Sequence, residues 1–252
     1  MKFLQAGADT NKCPKCSSNQ DRANTCPQFW RMVDQEDVKL VVMLCKVQPG
    51  FTGCSQYFPD REFGPKLKHG DLEVETVSAV SQRSVNERDC DGDGDVCCSE
   101  GVIVRDIRLR GLSGEVKEVK HIQFTNWPNY GVVEDLAELA EFMKAVSSEW
   151  EEVGGPLVVH CSGGVGRSGT FTTILTLYNL LLTATRSGDL SGVEKYLGQR
   201  EELRLTGPVL ELRRVRHPWM VEGENQYLLA YQAVLEILNT VIREQNSQLS
   251  DS

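Results

Sequence analysis

The stretch that most constrains this chain is residues 157–170, LVVHCSGGVGRSGT. Leu157, Val158 and Val159 are an apolar, largely β-branched run that ends at His160 and predicts a buried strand. Cys161 follows, and Ser162, Gly163, Gly164, Val165 and Gly166 then lead to Arg167. Beyond Ser168 and Gly169, an apolar helical stretch is expected to begin at Thr170. Strand, loop and helix in that order point to an α/β fold.

Small residues in such a loop let successive backbone N–H groups turn inward, and the helix that follows adds the positive end of its dipole. Arg167 can offer a planar fork of donors to a tetrahedral oxyanion. A cysteine set in that field is expected to be a thiolate at neutral pH. Residues 161–167 therefore describe a loop that binds phosphate and attacks it. The plainer alternative, a structural cysteine before a glycine-rich turn, leaves the coincidence of these requirements unexplained.

The spacing His160-Cys161, five residues, Arg167-Ser168-Gly169 resembles the active-site loop of the cysteine-dependent protein tyrosine phosphatases, and CSGGVGRSGTF is close to that family's usual wording. Two more stretches resemble the family: FWRMVDQEDVKLVVMLC from Phe29, in its helix-strand order, and GCSQYFP (Gly53 to Pro59), as a strand. The resemblance implies an α/β fold, a single domain with a highly twisted mixed β-sheet flanked by helices, and the phosphate-binding loop between a central strand and a helix. On this basis residues 1–24 are an irregular amino-terminal segment, 25–244 the phosphatase-like domain and 245–252 a polar tail. The family's Asn-Arg-Tyr substrate loop has no counterpart in the first two dozen residues, which leaves the choice between phosphotyrosine and other esters open.

Composition narrows the setting. The chain has 252 residues, 40% of them hydrophobic, enough for one large core, and a net charge of −9 that disfavours non-specific nucleic-acid binding. No apolar run approaches the ~20 residues of a membrane span and MKFLQAGAD lacks a secretory core, so no membrane partner and a cytoplasmic location are expected. Nine cysteines and a nucleophilic thiol also favour a reducing compartment. Cys13 and Cys16 form one CxxC without a second pair and are read as free thiols rather than a metal site.

Along the chain, Thr25 is expected to cap a helix that turns Phe29, Trp30 and Val33 inward, followed by a buried strand over 38–44. Alternating strands are predicted over 72–79, 102–109 and 116–124, forming the antiparallel edge of a mixed sheet. Between the first two, Asp89 to Glu100 matches the spacing of a calcium loop, but strands rather than helices flank it. An acidic hairpin tip is the preferred reading there, with calcium the alternative. Helices are predicted from Asp135 with Leu136, Leu139, Met143, Val146 and Trp150 on one face, over 171–184 and 190–203, and over 225–243 with Tyr227, Tyr231, Leu235 and Leu238 inward.

Residues 124–135, FTNWPNYGVVED, resemble the family's mobile Trp-Pro-Asp loop, with Trp127 and Pro128 in place but Asn129 where the general acid stands. An amide cannot protonate a leaving group, and Glu134 and Asp135, the nearest acids, read better as helix-capping residues. The substrate-side lysine is replaced by Gly53. The water-positioning stretch reads MVEGENQY, so Glu222 takes the place of one glutamine and Gln226 keeps the other. Glu222 could serve as a base on water or repel the phosphate, and the sequence supports both.

The resemblance implies a two-step displacement with no metal or organic cofactor. Cys161 is the nucleophile, residues 162–166 and Arg167 hold the phosphate oxygens, Ser168 assists thiolate departure and His160 fixes the cysteine's geometry. One arginine of Arg213, Arg214 and Arg216 is expected to brace the loop. Three readings follow: a phosphotyrosine phosphatase impaired in general-acid catalysis, a pseudophosphatase that binds phosphotyrosine-containing proteins, and a phosphoinositide or RNA 5′-phosphatase supported only by that basic run.

Overall fold

The structure is a computed structural model that describes residues 3–4, 25–47, 54–60, 64–82, 101–111, 114–187 and 205–250. The chain groups into two compact units, Met1–Trp127 with Glu149–Gly164, and Pro128–Ser148 with Val165–Ser252. The boundary thus falls inside the glycine-rich loop, between Gly164 and Val165.

The first unit carries helix α1 (Cys26–Gln35) and a seven-stranded sheet. Its strands are β1 (Phe3–Leu4), β2 (Leu40–Met43), β3 (Lys66–His69), β4 (Leu72–Gln82), β5 (Val102–Arg110), β6 (Val116–Phe124) and β7 (Leu157–His160), in the order β1-β7-β2-β6-β5-β4-β3. From β1 to β6 the neighbours are parallel, and from β6 to β3 they are antiparallel. The expected mixed sheet with an antiparallel side is therefore present. Every residue of β2 and β7 is buried, as continuous apolar runs in parallel strands should be, whereas β5 alternates. Register pairs Met43 with His160, which sets the end of β7 beside the end of β2.

Several expectations need correction. Residues 3–4 are not irregular but add a short parallel strand to β7. Strand β3 was hidden by its charges: Lys66 stands 3.0 Å from Glu73 and 3.5 Å from Glu75 across the hairpin, so its polar face is satisfied by the next strand. Thr25 makes no side-chain cap; α1 starts instead on its backbone carbonyl, which accepts the Phe29 N–H at 2.9 Å, with a proline in the first turn. Trp30 and Val33 are buried and Phe29 is half-buried. Cys54 to Pro59 is not a strand: only Cys54 bridges, to Val47. Tyr57, Phe58 and Pro59 are buried in succession, and the indole N–H of Trp30 donates to the Tyr57 carbonyl at 2.7 Å.

The second unit is helical, with α2 (Leu136–Val153) through Ser148, α3 (Gly166–Ser187), α4 (Thr206–Val215) and α5 (Glu224–Ser250). Asp135 caps α2 as expected, its Oδ1 accepting from Ala137 N–H at 2.9 Å and Glu138 N–H at 3.1 Å. Leu139, Met143 and Val146 are buried, joined by Phe142, whose ring lies 5.5 Å from that of Phe171. Trp150 and Leu136 are only half-buried. Helix α3 begins at Gly166 rather than Thr170, so Arg167 and Ser168 sit in its first turn. The hydroxyls of Thr170, Thr173 and Thr176 donate to the carbonyls of Gly166, Gly169 and Thr172, which is how a buried helix tolerates so many threonines.

Helix α5 packs against α3 with a face different from the one expected. Gln226, Leu229, Ala230, Ala233, Val234 and Ile237 are buried, Tyr227, Tyr231 and Leu238 are half-buried, and Leu235 is exposed. Small residues line the close contact and the bulkier ones stand beside it. The helix also continues through Ser250, into the segment read from the sequence as a polar tail.

The close approach in this unit is set by Gly169. A methyl group there would lie 2.5 Å from the backbone nitrogen of Val221, itself held at φ +60°. Gly169→Ala is therefore expected to lower stability by about 1–3 kcal/mol, read as a lower urea midpoint with an unchanged slope.

Candidate active site

In the first unit β7 ends at His160, whose carbonyl accepts the Leu44 N–H at 2.8 Å, and Cys161 follows in a buried position. Gly164 adopts φ +64°, a conformation natural to glycine, and its N–H donates to Cys161 Sγ at 3.2 Å.

The first unit also holds a buried chain of polar groups, of which Tyr57 and His160 fall within the family-like stretches. Arg105 can only donate, so its contact at 3.4 Å makes His121 Nδ1 the acceptor and leaves the proton on Nε2. That Nε2 lies 2.7 Å from the Tyr57 hydroxyl, which then donates to His160 Nε2 at 2.5 Å. His160 is left protonated on Nδ1, 3.3 Å from the Cys161 carbonyl oxygen. Arg105 is fixed in turn by stacking on Phe58, 4.4 Å from the ring centroid, and by donating to Gln123 Oε1 at 2.9 Å. His160 thus orients the backbone beside the cysteine from a buried, hydrogen-bonded position. Arg105 and His121 carried no motif; their signal was a charged and an imidazole side chain within strands otherwise read by apolar alternation.

In the second unit Arg167 is buried and donates from its terminal nitrogen to Asn129 Oδ1 at 3.0 Å. Asn129 lies in a tight turn: Gly131 N–H donates to the Pro128 carbonyl at 3.2 Å, and Tyr130 has φ +60°. Glu134 is exposed and Asp135 is engaged in capping. In the first unit, Trp127 is buried. Ser168 is fully buried, and its hydroxyl has no hydrogen-bond partner among the described residues.

Gln226 and Glu222 come together at the start of α3. Gln226 Oε1 accepts the Glu222 N–H at 3.1 Å and the Thr170 hydroxyl at 3.4 Å. A methyl group on Gly166 would sit 2.7 Å from Gln226 Oε1 and 3.2 Å from Glu222 Cβ, so only glycine lets the glutamine approach. Of the three arginines, Arg213 donates to the carbonyls of Met220 and Val221 at 2.9 and 3.2 Å, bracing the strap over Gly169 rather than the loop itself. Arg214 pairs with Glu211 at 2.7 Å. Two of the three arginines are therefore engaged within their own unit. Gly53, the Cys13–Cys16 pair, the acidic loop Asp89 to Glu100 and the helix expected over 190–203 lie outside the described residues.

The family profile described as Protein-tyrosine phosphatase matches residues 19–236, and the chain belongs to that family. Among its relatives it is 29% identical over 227 residues to Tyrosine-protein phosphatase 2 of Dictyostelium discoideum, covering 89% of this chain and 52% of that protein. It is 31% identical over 217 residues to Receptor-type tyrosine-protein phosphatase C of Homo sapiens, covering 85% of this chain and 14% of that protein. The similarity to Tyrosine-protein phosphatase Lar-like of Caenorhabditis elegans is 30% over 218 residues, 8% of that protein. The chain thus spans about half the length of the first relative and a small part of the others. No helix among the described residues is long and apolar enough to cross a membrane.

The buried chain makes stability depend on pH. Burial, then the charges of Arg105 and His160, hold His121 well below the usual histidine range, and burial lowers His69. The unfolded chain therefore binds more protons below about pH 6.5, and stability should be full above that value and fall as the pH is lowered, by up to about 1.4 kcal/mol per unit for His121 alone. Urea titrations between pH 5 and 7.5 should show this slope, and His121→Asn should flatten it.

Proposed function

We propose that this chain hydrolyses phosphotyrosine esters in proteins through a cysteinyl-phosphate intermediate, with weakened general-acid catalysis. In the first step the Cys161 thiolate attacks phosphorus, the sulfur–phosphorus bond forms and the phenolic oxygen leaves. The amides of 162–166 and the Arg167 guanidinium, which follow Cys161 within one short loop of the sequence, hold the equatorial oxygens as charge shifts between them. In the second step water, oriented by Gln226 and assisted by Glu222, attacks the phosphoenzyme while the Ser168 hydroxyl donates to the departing sulfur. A vacant, buried hydroxyl in the first turn of α3 supports that role. The reaction needs no metal or organic cofactor, and a reducing compartment such as the cytoplasm keeps the thiol competent.

The observation that carries the reading is the Gly164 N–H aimed at Cys161 Sγ, 3.2 Å away, at the end of a buried parallel strand. A second reading has its own support. Asn129 offers Arg167 an amide oxygen at 3.0 Å and no acidic proton, as suits a module that captures phosphotyrosine-containing proteins without turning them over.

Two substrates separate the readings. p-Nitrophenyl phosphate has a good leaving group and needs little proton donation, so its turnover should be substantial, while a phosphotyrosine peptide should be slow. Asn129→Asp should raise peptide turnover toward the ~10²–10⁴-fold that a general acid supplies, with little change for p-nitrophenyl phosphate. Cys161→Ser should abolish both reactions and keep peptide binding. No turnover of either substrate by the unmodified chain, with peptide affinity retained, would favour capture over hydrolysis.

A further inference from the structure

Beneath Cys161, in the first unit, lies a second group of metal-competent side chains. One ligand atom from each of Cys45, Cys54 and His160 falls within 4.8 Å of the other two, and all three residues are at most 2% exposed. They are brought together by backbone pairing. Cys45 follows β2, Cys54 forms the bridge to Val47, and His160 ends the strand paired with β2. Neither cysteine is joined in a disulfide among the described residues.

We propose that Cys45, Cys54 and His160 form a binding site for one thiophilic divalent cation of the zinc class. Two thiolates and a neutral imidazole suit that ion, and their two negative charges cancel its own, so a buried complex carries no net charge. Tetrahedral bonds of about 2.3 Å to sulfur and 2.0–2.1 Å to nitrogen require the three donors to draw together slightly. The imidazole is what distinguishes the group from a thiol pair awaiting oxidation, because a disulfide makes no use of it. Binding releases two thiol protons and takes one His160 nitrogen from its present partner, the Tyr57 hydroxyl or the Cys161 carbonyl. Tyr57 keeps His121 Nε2 at 2.7 Å and Met43 Sδ at 3.7 Å as other contacts when it gives up the imidazole. Any effect on turnover rests on the phosphatase reading; the site itself does not.

The test uses Co²⁺ as a spectroscopic probe on the full chain with Cys13→Ser and Cys16→Ser introduced to silence the amino-terminal pair. Thiolate-to-cobalt charge-transfer absorption should saturate at one equivalent, persist in Cys161→Ser, and weaken by more than the ~10–100-fold that loss of an outer-sphere partner costs when Cys45→Ser or Cys54→Ser is added. Because either serine variant could fold poorly, alkylation mapped by mass spectrometry gives a second reading on the unmodified chain: Zn²⁺ should slow modification of both Cys45 and Cys54. Absorption that survives loss of Cys45 and Cys54, or alkylation of both at rates unchanged by Zn²⁺, would overturn the proposal. Neither reading involves substrate, so the site can stand or fall apart from the catalytic assignment.

Discussion

A buried sulfur at the end of a strand is best accommodated where a hydrogen-bond donor faces it, and Cys161 sits in such a place. The Gly164 N–H supplies the donor seen in the first unit, and it does so from a backbone conformation that a β-branched residue would resist. The strands set the position: β7 is paired with β2 along its whole length to His160 and with β1 at Leu157 and Val158. The histidine just before the cysteine is tied through Tyr57 and His121 to Arg105, four residues from four separate parts of the sequence. In the proposed reaction this network has no chemical step of its own; it holds the geometry in which the thiolate is held.

The second unit arranges its groups around the first turn of α3. Glycines at 166 and 169 let Gln226 and the strap at Val221 come within distances that any larger residue would block. Arg167 spends a donor on Asn129, which accepts as an aspartate would but has no proton to give. In the proposed reaction anion binding and proton donation are therefore separate tasks, and the proposed function differs from full phosphatase activity in only the second. The same separation explains why hydrolysis and capture remain neighbouring readings.

Much of this was legible in the sequence, and the reasons for the rest are physical. The strand-loop-helix order around Cys161, the buried β2 and the strands β4, β5 and β6 follow from the hydrophobic pattern, and the capping role of Asp135 follows from its place before an apolar stripe. β3 was missed because a strand whose lysines pair across a hairpin looks like a polar loop. The inward face of α5 differs from the bulky one expected because close packing against α3 selects alanine and valine. The cluster of Cys45, Cys54 and His160, and the chain through Arg105, join residues far apart in sequence, and no local pattern announces such a meeting.

The account depends on an activated thiol in an anion-binding loop, and the most direct measurement is the rate of iodoacetamide alkylation of Cys161 across pH, with and without tungstate. The account predicts fast alkylation that persists well below the pH at which ordinary thiols slow, and strong protection by the oxyanion. A rate that tracks an unactivated thiol, or alkylation indifferent to tungstate, would contradict it.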